Sequence, residues 1–177
     1  MRSSWIETGL NGLAFVNGLV ATVLFAALTL VVALQVFTRF VLHDPFIWSE
    51  EAARFLFFWV VLLGAAMSVK DRRHFVIDVT MGREVTRGRT LRFLFDIVPG
   101  LCVLGFSLLL LVEGIGYTEV GLLRIGTNSR INMALVYGAI PVFAALSAVY
   151  SAGRLLLDCA AFLEGRGAAP RPLPSAD

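Results

Sequence analysis

The stretch LAFVNGLVATVLFAALTLVVALQVF, residues 13–37, decides the fold class of this chain. It contains no Asp, Glu, Lys or Arg, and a helix that crosses the hydrocarbon core of a bilayer needs about 20 mainly apolar residues. The apolar core of a secretory signal peptide is shorter and is followed by a small-residue cleavage site, whereas this run continues directly into Arg39 and Phe40. We therefore predict a retained transmembrane helix.

Three further apolar stretches of similar length follow, separated by short charged loops. The four predicted spans cover about residues 13–37, 45–69, 91–112 and 132–157. The chain is 58% hydrophobic and only 16% charged, whereas about a quarter of the residues of a soluble domain are charged. The sequence thus predicts an all-α integral membrane protein, with residues 1–177 forming a single membrane domain.

The basic residues predict the orientation, because short loops rich in Lys and Arg stay in the cytoplasm. The segment between the second and third spans carries seven of the 15 basic residues, whereas the loops on either side of it have two each, so we predict that it is a cytoplasmic, basic, interfacial segment: Lys70, Arg72, Arg73, Arg83, Arg87, Arg89 and Arg92. Four spans then place both termini in the cytoplasm, with 164–177 as a flexible tail. A bacterial inner membrane is the expected location.

Several function classes are excluded on composition and motifs. A formal net charge of +2 is accounted for by topology, so no nucleic-acid partner is expected. No glycine-rich phosphate loop is present, and His43 and His74, the only histidines, lie outside the predicted spans, where they could not hold haem. Cys102 and Cys159 are interpreted as small hydrophobic residues. We predict no cofactor, no metal and no enzymatic activity.

Charged residues at the start of the second span are the first candidates for subunit contacts. Glu50 and Arg54 have the (i, i+4) spacing of an ion pair, and Trp48 is placed as an interfacial anchor. Glu51 falls on a different side of the helix from that pair. It is therefore a candidate to meet a polar group on a partner helix.

Asp96 is the most deeply placed charged residue of the predicted spans. Ionisable groups inside a membrane are costly and usually face protein or water. Asp96 follows Arg92 by one helical turn, so an ion pair at the cytoplasmic interface is favoured over a proton or ion site. His74 is interpreted as structural, because a lone histidine makes no metal site.

Small residues on two helices predict close packing, since helices in lipid approach each other where Gly, Ala and Ser form a groove. The second span has Gly64 and Ser68 four residues apart, and the fourth has Ala144, Ala148 and Ala152 at the same spacing. We expect one of these grooves to be filled within the chain. The other is then available to a partner.

The second span and its flanks resemble the small membrane subunit of tripartite ATP-independent periplasmic (TRAP) transporters. The resemblance covers about residues 39–78 and extends weakly, through the four-helix layout and the proline in the fourth span, over the whole chain. Its residues are Trp48, Ser49, Glu50, Glu51, Ala52, Ala53, Arg54, Phe58, Trp59, Gly64, Ala65, Ala66, Arg73, His74 and Asp78.

The resemblance implies a non-catalytic subunit that scaffolds a large multi-span permease, which holds the substrate and ion sites. A periplasmic solute-binding protein delivers the solute in such systems. The driving force is an ion gradient, usually of sodium, and typical solutes are organic anions such as C4-dicarboxylates, other carboxylates and sialic acids. Membrane lipids are the remaining expected partner.

Two alternatives remain open at the level of the sequence. One is a stand-alone proton-coupled exporter that works as a dimer, with Asp96 or Glu51 as the protonatable group. The other is a lipid-binding organiser that acts through the arginines between Arg83 and Arg92. The scaffold hypothesis predicts no transport by the chain alone.

Overall fold

A computed structural model describes the backbone of residues 2–44, 46–71 and 89–163, and the side chains of 5–44, 46–71 and 97–160. The chain forms α1 (Arg2–Phe37), a π-helical turn (Thr38–Leu42), α2 (Ile47–Asp71), α3 (Arg89–Leu122), α4 (Met133–Tyr137) and α5 (Ala139–Leu163). Four of the segments are long and apolar enough to cross a membrane, with α4 and α5 counted as one. The predicted all-α, four-span class is confirmed.

The helix ends differ from the limits of the predicted spans. The chain leaves the π-helical turn through His43 in the left-handed conformation (φ 56°), and α2 begins at Ile47, just inside the second predicted span, which starts at about residue 45. At its other end α3 continues to Leu122, well past the predicted end of the third span. With 34 residues it is about 50 Å long. Since a helix can continue past the hydrocarbon core, the span limits themselves stay predictions.

Pro141 explains why the fourth span is two helices. Proline has no amide hydrogen for the carbonyl four residues earlier, and its ring clashes with that carbonyl; here this is the carbonyl of Tyr137, the last residue of α4. Gly138 joins α4 to α5, and its amide bonds the Ala134 carbonyl at 2.8 Å. The break leaves α4 as a short helix whose first turn is capped by Asn132.

The helices lie side by side in the order α3, α5, α2, α1, with α4 against the end of α3. Residues buried on α1 recur at three- and four-residue spacing, at Leu10, Ala14 and Asn17. Leu10 also reaches α5, where a Cβ on Gly153 would lie 2.9 Å from its Cδ1. The core that results is small, and large apolar side chains remain exposed on every long helix, as expected of a chain surrounded by lipid or by another membrane protein.

Candidate functional site: the Trp48 end and the outer face of α2

The Trp48 end of the molecule comprises the π-helical turn, the first turns of α2 and the 123–132 loop between α3 and α4. Gln35 donates from Nε2 to the Ser49 carbonyl at 2.6 Å, and Thr38, only 1% exposed, bonds the Gln35 carbonyl at 3.1 Å. Buried polar groups that find such partners avoid the cost of desolvation. These contacts fix the start of α2 against the end of α1.

Glu50 and Arg54 form the predicted (i, i+4) ion pair on the outer side of α2. Arg54 Nη2 lies 3.3 Å from Glu50 Oε1, and the two side chains are 70% and 79% exposed. An exposed pair of this kind contributes roughly 0–1 kcal/mol. Both charged groups therefore remain accessible on the surface of the chain.

Glu51 has hydrogen-bond partners within this chain. Its Oε2 accepts the backbone amides of Asn128 at 3.0 Å and Ser129 at 2.7 Å. The carboxylate sits against Gly126, where a Cβ would lie 2.6 Å from Oε1. The side chain therefore holds the 123–132 loop onto the start of α2.

The two tryptophans of α2 have different contacts. Trp59 donates its indole N–H to the Leu135 carbonyl at 3.0 Å, which ties α2 to α4. Trp48 is 46% exposed and stacks on Phe46 with the ring centroids 6.3 Å apart. Its exposed position at a helix start suits a side chain at the level of the lipid headgroups.

The outer face of α2 is the surface formed by Phe57, Phe58, Val61, Gly64 and Ser68. The first three are 56%, 39% and 48% exposed. A Cβ on Gly64 would meet nothing within 4 Å, and the Ser68 hydroxyl bonds the Gly64 carbonyl at 3.4 Å. The residues that the structure describes therefore leave the groove around Gly64 open.

The opposite side of α2 is closed. Leu63 and Ala66 are 4% and 0% exposed, and Ala144 of the small-residue groove on α5 is also fully buried. The small-residue groove of the fourth span is thus packed inside the molecule at Ala144. The groove of the second span is exposed at Gly64.

Three of the predicted site residues cannot be placed by their side chains. His74 and Asp78 lie outside the described residues, and so does the side chain of Asp96, whose backbone belongs to α3. The expected Arg92–Asp96 pair lies there too. Among the described residues no group of three His, Cys, Asp or Glu side chains could hold a metal ion.

Sequence reasoning missed two features of the fold's polar interior. Asn17 is 5% exposed and donates to the Leu63 carbonyl at 3.2 Å, and Tyr150 of α5 is fully buried beside it. An amide inside an apolar span is itself a signal, because such groups are costly in lipid. No feature of the sequence indicated that Gly126 leaves room for the Glu51 carboxylate, because that contact depends on how the loop approaches Glu51.

The profile of a known family matches this chain over residues 28–161, which takes in the Trp48 end and the outer face of α2. That profile describes the DctQ component of tripartite ATP-independent periplasmic transporters. The chain belongs to the DctQ family. The match confirms the family predicted from residues 39–78 and extends it through all of α4 and most of α5.

Two proteins similar to this chain come from Vibrio cholerae serotype O1. The C4-dicarboxylate TRAP transporter small permease protein DctQ is 31% identical over 117 residues, which are 66% of this chain and 49% of that protein. The sialic acid TRAP transporter small permease protein SiaQ is 30% identical over 150 residues, 80% of this chain and 84% of that protein. This chain thus spans about half the length of the first relative and most of the second.

A third relative is longer. The isethionate TRAP transporter permease protein DctMQ of Oleidesulfovibrio alaskensis is 24% identical over 173 residues, which are 93% of this chain but 25% of that protein. All three relatives carry the names of permease proteins, in agreement with the prediction that this chain is not an enzyme.

Proposed function

We propose that this chain is the small permease subunit of a TRAP transporter in a bacterial inner membrane, and that it scaffolds a large multi-span permease. The family assignment supports the first part. The observation that carries the second is the open, apolar outer face of α2, where no described residue lies within 4 Å of a Cβ built on Gly64. A second membrane protein could bury that face by close helix packing.

The longer relative supports a large permease as the occupant of this face. In the DctMQ protein the sequence similar to this chain makes up only 25% of the length, so a small-permease part is joined there to a larger permease part. We infer that the same two parts meet non-covalently here. A periplasmic solute-binding protein completes the proposed system.

The proposed cargo is an organic anion taken up with an ion gradient, usually of sodium. The two Vibrio cholerae relatives are named for C4-dicarboxylate and sialic acid, and both solutes carry carboxylates. We expect a gene for a solute-binding protein beside this one, and ligand screening of that protein would identify the solute. Uptake should then stop when the binding protein is omitted, and should fall when the sodium gradient is removed.

The scaffold is tested by Gly64→Leu, which puts a large side chain into the open groove. We expect the variant to insert normally and to lose at least half of the large permease that co-purifies with the unchanged chain. Gly105→Leu is the matched control, because Gly105 is an α3 glycine whose Cβ would also meet nothing within 4 Å. Equal yields of complex for both variants would remove the outer face of α2 from the interface.

Transport by the isolated chain separates this proposal from the exporter alternative. Purified protein in liposomes should move no organic anion under a sodium or proton gradient, whereas the reconstituted three-component system should. Glu51 already accepts two backbone amides, which supports a structural role for that carboxylate. Solute movement by the chain alone would contradict the scaffold.

A further inference from the structure

The 123–132 loop presents successive backbone amides to a single carboxylate. The amides of Asn128 and Ser129 both donate to Glu51 Oε2, at 3.0 and 2.7 Å, and the Thr127 amide and the Ser129 hydroxyl face the same carboxylate. Consecutive amides that converge in this way form a nest, which is a binding site for anions. The nest is open on the Gly126 side only because that residue has no Cβ.

The loop has its own hydrogen bonds around the nest. The Gly126 amide bonds the Ile131 carbonyl at 2.8 Å, the Arg130 amide bonds the Gly126 carbonyl at 3.2 Å and the Met133 amide bonds the Arg124 carbonyl at 3.0 Å. These bonds close the loop into a narrow hairpin, but none of them joins it to α2. The Glu51 carboxylate makes that connection.

We propose that residues 126–129 form a carboxylate-binding nest and that Glu51 is its built-in ligand. Glu51 is then a positioning residue that holds the α3–α4 loop in place by charge-assisted hydrogen bonds, which are stronger than neutral ones. A small free carboxylate takes its place when the side chain is removed. This role is independent of the subunit contacts proposed for the outer face of α2.

Trypsin reports on the loop directly, because it cleaves after Arg124 and Arg130, two exposed residues of this hairpin. Cleavage of a closed loop requires local opening, so its rate follows the population of the open form. In the purified full chain in detergent, we expect Glu51→Ala to raise the rates of cleavage after Arg124 and Arg130 about tenfold. Glu50→Ala is the control, since Glu50 is an exposed neighbour paired with Arg54, and its rates should match the unchanged chain.

Chemical rescue tests the nature of the ligand. Sodium acetate should slow the cleavage of Glu51→Ala towards the rate of the unchanged chain, whereas sodium chloride at the same ionic strength and acetamide at the same concentration should not. Cleavage rates that Glu51→Ala leaves unchanged would overturn the proposal. So would raised rates that acetate does not lower.

A second variant keeps the charge and blocks the nest. Gly126→Ala places a methyl group 2.6 Å from the present position of Glu51 Oε1, and we expect faster cleavage that acetate does not reverse, because the methyl group occupies the space. Gly116→Ala, at an α3 glycine with nothing within 4 Å of a Cβ, should leave the rates unchanged. Unchanged rates for Gly126→Ala would contradict the tight fit of carboxylate and nest.

Discussion

Trp59 connects two helices through one indole N–H, which the Leu135 carbonyl accepts at 3.0 Å. That carbonyl lies in α4, close to the break before Pro141, where the helix has lost part of its own hydrogen bonding. Trp48, on the same helix, packs by stacking on Phe46. Trp59 therefore joins α2 to α4 by a hydrogen bond, whereas the described contact of Trp48 is a stacking contact close to the start of its own helix.

At the residue scale, we expect Trp59→Phe to destabilise the protein by about 1 kcal/mol, because the Leu135 carbonyl loses its donor. For a chain of this size that loss corresponds to a fall in apparent melting temperature of about 2–4 °C. Thermal unfolding of the purified protein in detergent measures it.

Trp48→Phe serves as the comparison, since a phenyl ring can still stack on Phe46 and the side chain is 46% exposed. Its melting temperature should fall less than that of Trp59→Phe. A larger fall for Trp48→Phe would show that the bond to Leu135 contributes little.

At the scale of elements, α1, α2 and α5 meet around Asn17 and Tyr150. Asn17 Nδ2 bonds the Leu63 carbonyl of α2, and the buried Tyr150 packs with Leu10, Ala14 and Ala66. Among the described residues, the Tyr150 hydroxyl faces the Asn17 side chain, but neither it nor Asn17 Oδ1 completes a hydrogen bond. The amide donor thus joins two helices, whereas the ring of Tyr150 contributes mainly packing.

Substitutions at these two positions should differ in how much stability they cost. Asn17→Leu removes the bond to α2, and we expect a loss of about 0.6 kcal/mol, the average for hydrogen bonds between membrane helices. Tyr150→Phe keeps the ring and removes a hydroxyl that faces Asn17 without completing a hydrogen bond, so it should cost less stability than Asn17→Leu. Unfolding of both variants by denaturing detergent measures the difference, and a greater loss for Tyr150→Phe would mean that its hydroxyl is hydrogen-bonded.

At the scale of the whole molecule, the distribution of basic residues predicts that both termini face the cytoplasm. The Trp48 end is then periplasmic. This places the 123–132 loop on the side of the proposed binding protein, and the basic segment between α2 and α3 on the side of anionic inner-leaflet lipids.

Reporter fusions test this orientation. Green fluorescent protein fused to the C-terminus should fluoresce, and alkaline phosphatase fused after Ile131 should be active because it folds in the periplasm. The same phosphatase fused after Arg83 should be inactive. The reverse pattern of activities would invert the topology and put the Trp48 end in the cytoplasm.

The sequence was enough to predict that the helices form, but not where they end or which residues they contact. The apolar stretch of residues 13–37 indicated a spanning helix because a helix satisfies the backbone hydrogen bonds of a continuous run of this length in lipid. The (i, i+4) spacing of Glu50 and Arg54 was enough for their ion pair, since both residues lie on one turn of one helix. Glu51 was recognised as a candidate for a polar contact, but its partners lie in a loop far along the chain and could not be found by spacing.

The sequence by itself determined the membrane class, the number of spans and the family, because hydrophobic length and local motifs are properties of contiguous residues. Only the tertiary structure decided which side of each helix is closed. It buried Ala66 and Ala144, left Gly64 open, and put Gly126 where a carboxylate needs room. Such outcomes depend on which helices become neighbours, and within apolar spans the side chains of lipid-facing and protein-facing positions are chemically alike.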